Sequence, residues 1–91
     1  MDRRKALECG VSKISTKSIP SRALITEELF VDNVQIGIMT KTKGGNMPWR
    51  AFFLQNNTRL DLGIFKGDTG RRDAKQSIIE RYVNEPSFIP Q

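Results

Sequence analysis

The stretch MPWRAFFLQNNTRLDLGIFKGDTGRRDAKQSIIERYV, residues 47–83, decides the fold. It reads as strand, turn, strand and capped helix. PWRAFFLQ, residues 48–55, is dense in aromatic and apolar side chains. Pro48 suits the first position of a strand, where no ladder N–H is needed. Gln55-Asn56-Asn57-Thr58 follows as a hairpin turn, because asparagine tolerates positive φ. Residues 58–66 form the next strand. Gly67-Asp68-Thr69-Gly70 then breaks the sheet, and Asp68 or Thr69 caps a helix running to about Asn84. Asp73 falls in the first turns, where the helix dipole favours negative charge. Ala74, Ile78 and Tyr82, flanked by Ile79 and Val83, make the apolar stripe.

Upstream, residues 34–42 alternate with period two. Val34, Ile36, Ile38 and Thr40 point one way; Gln35, Gly37, Met39 and Lys41 point the other. Lys43-Gly44-Gly45-Asn46 is a turn signal. Residues 22–31, RALITEELFV, are ambiguous between a short helix capped by Ser21 and an edge strand. Ile25, Phe30 and Val31 tip them towards strand or irregular structure. Residues 1–21 are polar and lack sustained periodicity, apart from a short amphipathic turn from Arg3 to Cys9. Downstream, Pro86 and Pro90 end regular structure, and Ser87-Phe88-Ile89 folds back to cover an edge. The expected architecture is therefore α+β. A three-stranded antiparallel sheet packs on one C-terminal helix behind a flexible basic N-terminal arm. The arm takes residues 1–21, the sheet-and-helix domain 22–85 and the tail 86–91.

The charge balance is +5 over 91 residues, with a pI near 9.8, which favours an acidic partner. The excess is uneven. Residues 1–22 carry Arg3, Arg4, Lys5, Lys13, Lys17 and Arg22 against Asp2 and Glu8, a net of +4. The rest carries nine basic and eight acidic side chains. Cys9 is the single cysteine and there is no histidine. No internal disulfide forms from one thiol, which fits a reducing, cytoplasmic setting. No metal-ligand cluster and no Ser-His or Cys-His pair is written in the sequence, so neither an enzyme nor a cofactor is expected. No apolar run approaches the ~20 residues of a membrane span, and the charged N-terminus has no apolar core of a secretory signal.

The pattern of Gly37, Trp49, Ala51, Phe53, Thr58-Arg59-Leu60, Leu62-Gly63, Phe65, Asp68-Thr69 and Asp73-Ala74 resembles a known family. It is similar to the plant Apetala-two/ethylene-response DNA-binding domain and to the arm-type N-terminal domains of tyrosine integrases. The resemblance covers about half the chain. It implies a sheet laid into a DNA major groove ~12 Å wide, and a phage or mobile-element accessory factor. Trp49, Ala51, Phe53, Leu60 and Leu62 would face the helix, with Gly63 kinking the strand and Ala74 allowing close crossing. The outer face would carry Met39, Lys41, Arg50, Phe52, Leu54, Arg59 and Asp61. A second stretch, Gly70-Arg71-Arg72-Asp73-Ala74-Lys75-Gln76, resembles the helix start of double-stranded RNA-binding domains, which makes RNA the alternative polyanion.

Three groups of candidate contacts follow. Lys41, Lys43, Arg50 and Arg59, with Phe52 as a stacking ring, belong to the sheet. Arg71, Arg72 and Lys75 at the helix start meet phosphate; the plainer reading is a solvated helix face. Arg3, Arg4 and Lys5 in the arm neutralise phosphates; the plainer reading is a solubilising tail. Trp49 is read as core. Phe52 is a binding signal if open and packing if the tail around Phe88 covers it. An apolar centre with a basic rim is also what a protein-binding face looks like. The alternative function is therefore an interaction protein of phage type. It would bind a host protein, or dimerise, through Met39, Phe52 and Leu54.

Overall fold

Hairpin chemistry sets the topology. The computed structural model describes residues 2–85, 88 and 89. These form α1 (Arg3–Glu8), β1 (Ile14–Ile19), β2 (Leu24–Val31), β3 (Val34–Thr42), β4 (Trp49–Gln55), β5 (Thr58–Phe65) and α2 (Gly70–Val83). The strands make one antiparallel meander in the order β1-β2-β3-β4-β5. Two of its connections are two-residue turns with both central residues at positive φ: Asp32 and Asn33 at 50° and 68°, Asn56 and Asn57 at 48° and 58°. That is the turn geometry whose twist matches paired strands, and Asn and Asp adopt it at low cost.

The expected three-stranded sheet with one helix behind a flexible arm is thus corrected to five strands and two helices among the described residues. Residues assigned to the arm supply α1 and β1. In α1, the Lys5 amide donates to the Asp2 carboxylate at 2.8 Å, which caps the first turn. β1 pairs with β2 along its whole length, Ile14 opposite Val31 to Ile19 opposite Thr26. Of the expected tail, Pro86, Ser87, Pro90 and Gln91 lie outside the described residues.

α2 packs across β3, β4 and β5 on one side of the sheet. The core between them holds Leu29, Val31, Ile36, Met39, Trp49, Ala51, Phe53, Ala74 and Ile78. Phe53, Leu29, Ile36, Met39 and Ile78 are fully buried, and each such side chain contributes roughly 1.5–3 kcal/mol by leaving water. Ala74 brings α2 close, and Gly37 makes room for Ile78. A Cβ on Gly37 would stand 2.8 Å from the Phe52 carbonyl oxygen and nearer still to Ile78 Cγ2.

Two bulges fix which side chains face which way. Leu29 pairs with Gly37 but Phe30 with Gln35, so Ile36 is an extra residue and turns into the core. Met39, expected on the outer face, is instead fully buried on the α2 side, opposite Ala51. In β5, Ala51 pairs with Gly63 but Phe52 with Asp61, which makes Leu62 the extra residue. Gly63 takes φ 111°, and its amide donates to Asp61 Oδ1 at 2.8 Å, so the expected kink at this glycine is a carboxylate-pinned bulge.

The ends of the described chain both gather on the α2 side. Phe88 packs edge-on against Tyr82, with ring centroids 5.4 Å apart, and against Phe53 at 5.8 Å. The Asn56 amide donates to the Ile89 carbonyl at 2.8 Å. Arg3 lies over the Tyr82 ring and donates to the Tyr82 and Glu85 carbonyls.

Candidate nucleic-acid interface

With α1, α2 and Phe88 on one side, the other side of the sheet is uncovered by any described element. Strand register lays its side chains in rows. One row crosses all five strands: Lys17, Glu28, Ile38, Phe52, Asp61. A second runs Ile19, Thr26, Thr40, Arg50, Ile64. Beside the first row, Leu54 and Arg59 are paired, and with Glu28, Gln35, Ile38 and Thr58 they line a shallow depression of about 370 Å³. Leu54 is only 6% exposed, so the floor is apolar and tight rather than a loose hydrophobic patch.

Phe52 is half-buried at the centre of this surface. The Arg59 guanidinium stands over its ring, with Cζ 5.0 Å from the centroid. A cation over an aromatic face is worth about 0.5–1 kcal/mol when exposed. Arg50 flanks the ring on its other side along β4. Both arginines are exposed, and neither is ion-paired among the described residues. The two carboxylates of the face are engaged: Glu28 accepts from Gln35 Nε2 at 2.8 Å and Asp61 from the Gly63 amide. Phe88 does not cover Phe52, because it packs on Phe53, which faces the opposite way.

The other predicted contacts lie elsewhere. Lys41 is opposite Trp49 and therefore on the α2 side, where it lines a cleft of about 410 Å³ with Asn46, Gly67, Asp68 and Arg71. Lys43 is exposed in the β3–β4 turn. Arg71 is bound internally, with Nε and Nη2 donating to Glu27 Oε2 and Oε1 at 2.6 and 2.5 Å. Glu27 is a buried carboxylate on the α2 side of β2, and its hydrogen bond holds the Arg71 guanidinium above its ordinary pKa. Arg72 is exposed, with Nε 3.9 Å from Asp73, and Lys75 is half-buried on α2.

In α1, Arg4 makes two hydrogen bonds to the Glu80 carboxylate, at 3.0 and 2.8 Å. That bond raises Arg4 and holds Glu80 below the usual carboxylate range. Arg3 is spent on the end of α2, and Lys5 is exposed. The sheet group Arg50, Phe52 and Arg59 thus comes together, while the helix-start and arm groups sit behind the sheet. Lys17, Thr26, Thr40 and Phe30 on the open face were missed, and the overlooked signal was the Asp32-Asn33 turn, which pairs residues 24–31 with β3 and exposes their even-numbered side chains.

No family model matches the chain, and no curated protein or solved structure matches it either. The likeness to Apetala-two and integrase arm-type domains rests on the residue pattern alone. Among the described residues no group of acidic, Cys or His side chains is placed to hold a metal ion, and no helix is long and apolar enough to cross a membrane.

Proposed function

We propose that this chain is a DNA-binding module whose contact surface is the face of the sheet turned away from α2. One observation carries the reading. Phe52 is flanked by Arg50 and Arg59, two exposed arginines without carboxylate partners among the described residues, on a side that no described element covers. Guanidinium groups bind phosphate and base edges, and the Phe52 ring with the Arg59 guanidinium over it offers a planar stacking surface. A fluorescence-anisotropy titration with labelled DNA over a salt series tests it. Arg50→Ala and Arg59→Ala should each weaken binding by about 1–3 kcal/mol. Unchanged affinity in both variants, with unchanged thermal stability, would remove this face from the reading.

A second reading draws on a different feature. Ile19, Leu24 and Met47 are exposed apolar side chains at one end of the sheet and line two adjoining depressions. Such a patch supports a protein partner or self-association. Sedimentation of the chain alone and with bacterial lysate fractions separates the two readings, since an apolar contact responds little to salt.

A further inference from the structure

We infer that the DNA taken by this face is single-stranded. The inference rests on the preceding reading of the sheet face and narrows it. Its first support is width. The row Lys17, Glu28, Ile38, Phe52, Asp61 crosses five hydrogen-bonded strands. Four steps of ~4.8 Å give a backbone about 19 Å across, before side chains are counted. A major groove is ~12 Å wide and admits a two- or three-stranded ribbon. The strands of β1 and β2 cannot stand aside, because β2 pairs with β3 along its entire length. Twist adds to the mismatch. Neighbouring strands turn by about 20–25°, so β1 and β5 diverge by roughly 80–100°. A surface turned so far meets a rigid duplex along only part of its width, whereas a flexible strand follows it.

The second support is chemistry. The centre of the face is Phe52, Ile38 and the floor residue Leu54, with Phe30 half-buried on β2. In a duplex the bases are stacked on one another and present only their edges, so the Phe52 ring and the Arg59 guanidinium lying over it have no base plane to meet. An unpaired base has one, and the stack is indifferent to its identity. The charges fit the same partner. Arg50 and Arg59 flank the ring and Lys17 stands three strands away on the same face, a spread of cations rather than two lines; Glu28 and Asp61 each accept a hydrogen bond from a neutral donor and keep their charge. Three cations suffice to track one backbone. The depression beside the ring also presents Glu28, Gln35 and Arg59, so the choice of DNA over RNA comes from the preceding reading and the RNA arm tests it.

The test uses the full chain and a mixed-sequence labelled deoxyoligonucleotide of about twelve residues. Its duplex and the RNA of the same sequence are the other arms. The single DNA strand is expected to bind tightest, with a log–log salt slope of about −2 for three phosphates neutralised. Phe52→Leu keeps apolar bulk and removes the ring, and should weaken single-strand binding roughly 5- to 150-fold while Phe52→Trp retains it. Thermal melts confirm that both variants fold. Equal or tighter binding of duplex or RNA overturns the inference and leaves the sheet-face reading standing. So does a Phe52→Leu variant of unchanged affinity. Binding of none of the three overturns the underlying reading as well.

Discussion

Removing the Arg71 side chain tests whether the cation at the start of α2 is a ligand contact or part of the fold. Arg71 closes two short hydrogen bonds on Glu27, whose residue is 6% exposed, while the arginine side chain itself is 49% exposed. Breaking a fully buried ion pair by deleting one partner costs about 3–5 kcal/mol, because a charge is left buried without compensation. Here water already reaches the guanidinium, and solvent screening takes about half of that value, so Arg71→Ala should destabilise by about 2 kcal/mol. For a domain of this size that lowers the melting temperature by roughly 8–16 °C. The assay is paired: thermal and urea denaturation for stability, and anisotropy with single-stranded DNA at a temperature where the variant is folded. Stability should fall and affinity should hold. Glu27→Leu combined with Arg71→Met should recover most of the loss, since apolar replacement of both partners removes the orphaned charge. A variant that keeps its melting temperature but loses DNA affinity would refute the reasoning and return Arg71 to the interface.

Two further outcomes test the packing and the docking of α1. Gly37→Ala should cost about 1–3 kcal/mol in urea denaturation, because the new methyl meets a backbone carbonyl that cannot rotate away as well as Ile78. For the Arg4–Glu80 contact the sign follows from the lowered Glu80 value. The folded chain holds that proton more weakly than the unfolded chain, whose carboxyl titrates near ~4.3. The contribution is therefore complete above that pH and is lost as pH falls through the lower native value. Glu80→Gln should melt at a lower temperature than the parent near neutrality, and the two curves should converge as the pH falls through the lowered native value of Glu80; curves that stay parallel down to acid would dissociate Glu80 from the docking of α1.

The parts of the fold that α2 covers were legible in the sequence. Residues 34–42, 48–55 and 58–66 alternate because one side of each strand is buried, and Ala74, Ile78 and Tyr82 recur at helical spacing for the same reason. β1 escaped because it lies beyond the reach of α2. Both its faces are largely wet, so Ile14 to Ile19 need no alternation, and an edge strand of Ser, Thr and Lys reads like a linker. β2 was ambiguous because Glu27 occupies a core-facing position between Ile25 and Leu29. Its partner is Arg71, 44 residues away, and no local pattern announces such a tie. The same contact gives Arg71 a part in the fold that its place at a helix start does not announce. Arg50, Phe52 and Arg59 could be placed together from strand parity, whereas Met39 and Lys41 could not, since the bulge at Ile36 reverses the parity that the apolar alternation implied.

Arg3 touches carbonyls at residues 82 and 85 and lies over the Phe88 ring, so a single side chain ties the start of the described backbone to the chain that follows α2, and it does so behind the sheet. A glycine linker could join these neighbouring segments and let new ends be opened at the exposed Gly44-Gly45 turn without disturbing Phe52. By the same geometry, any polypeptide appended at residue 2 would emerge to the rear of the proposed contact face. A neighbouring domain carried there would hang clear of a bound strand instead of competing with it.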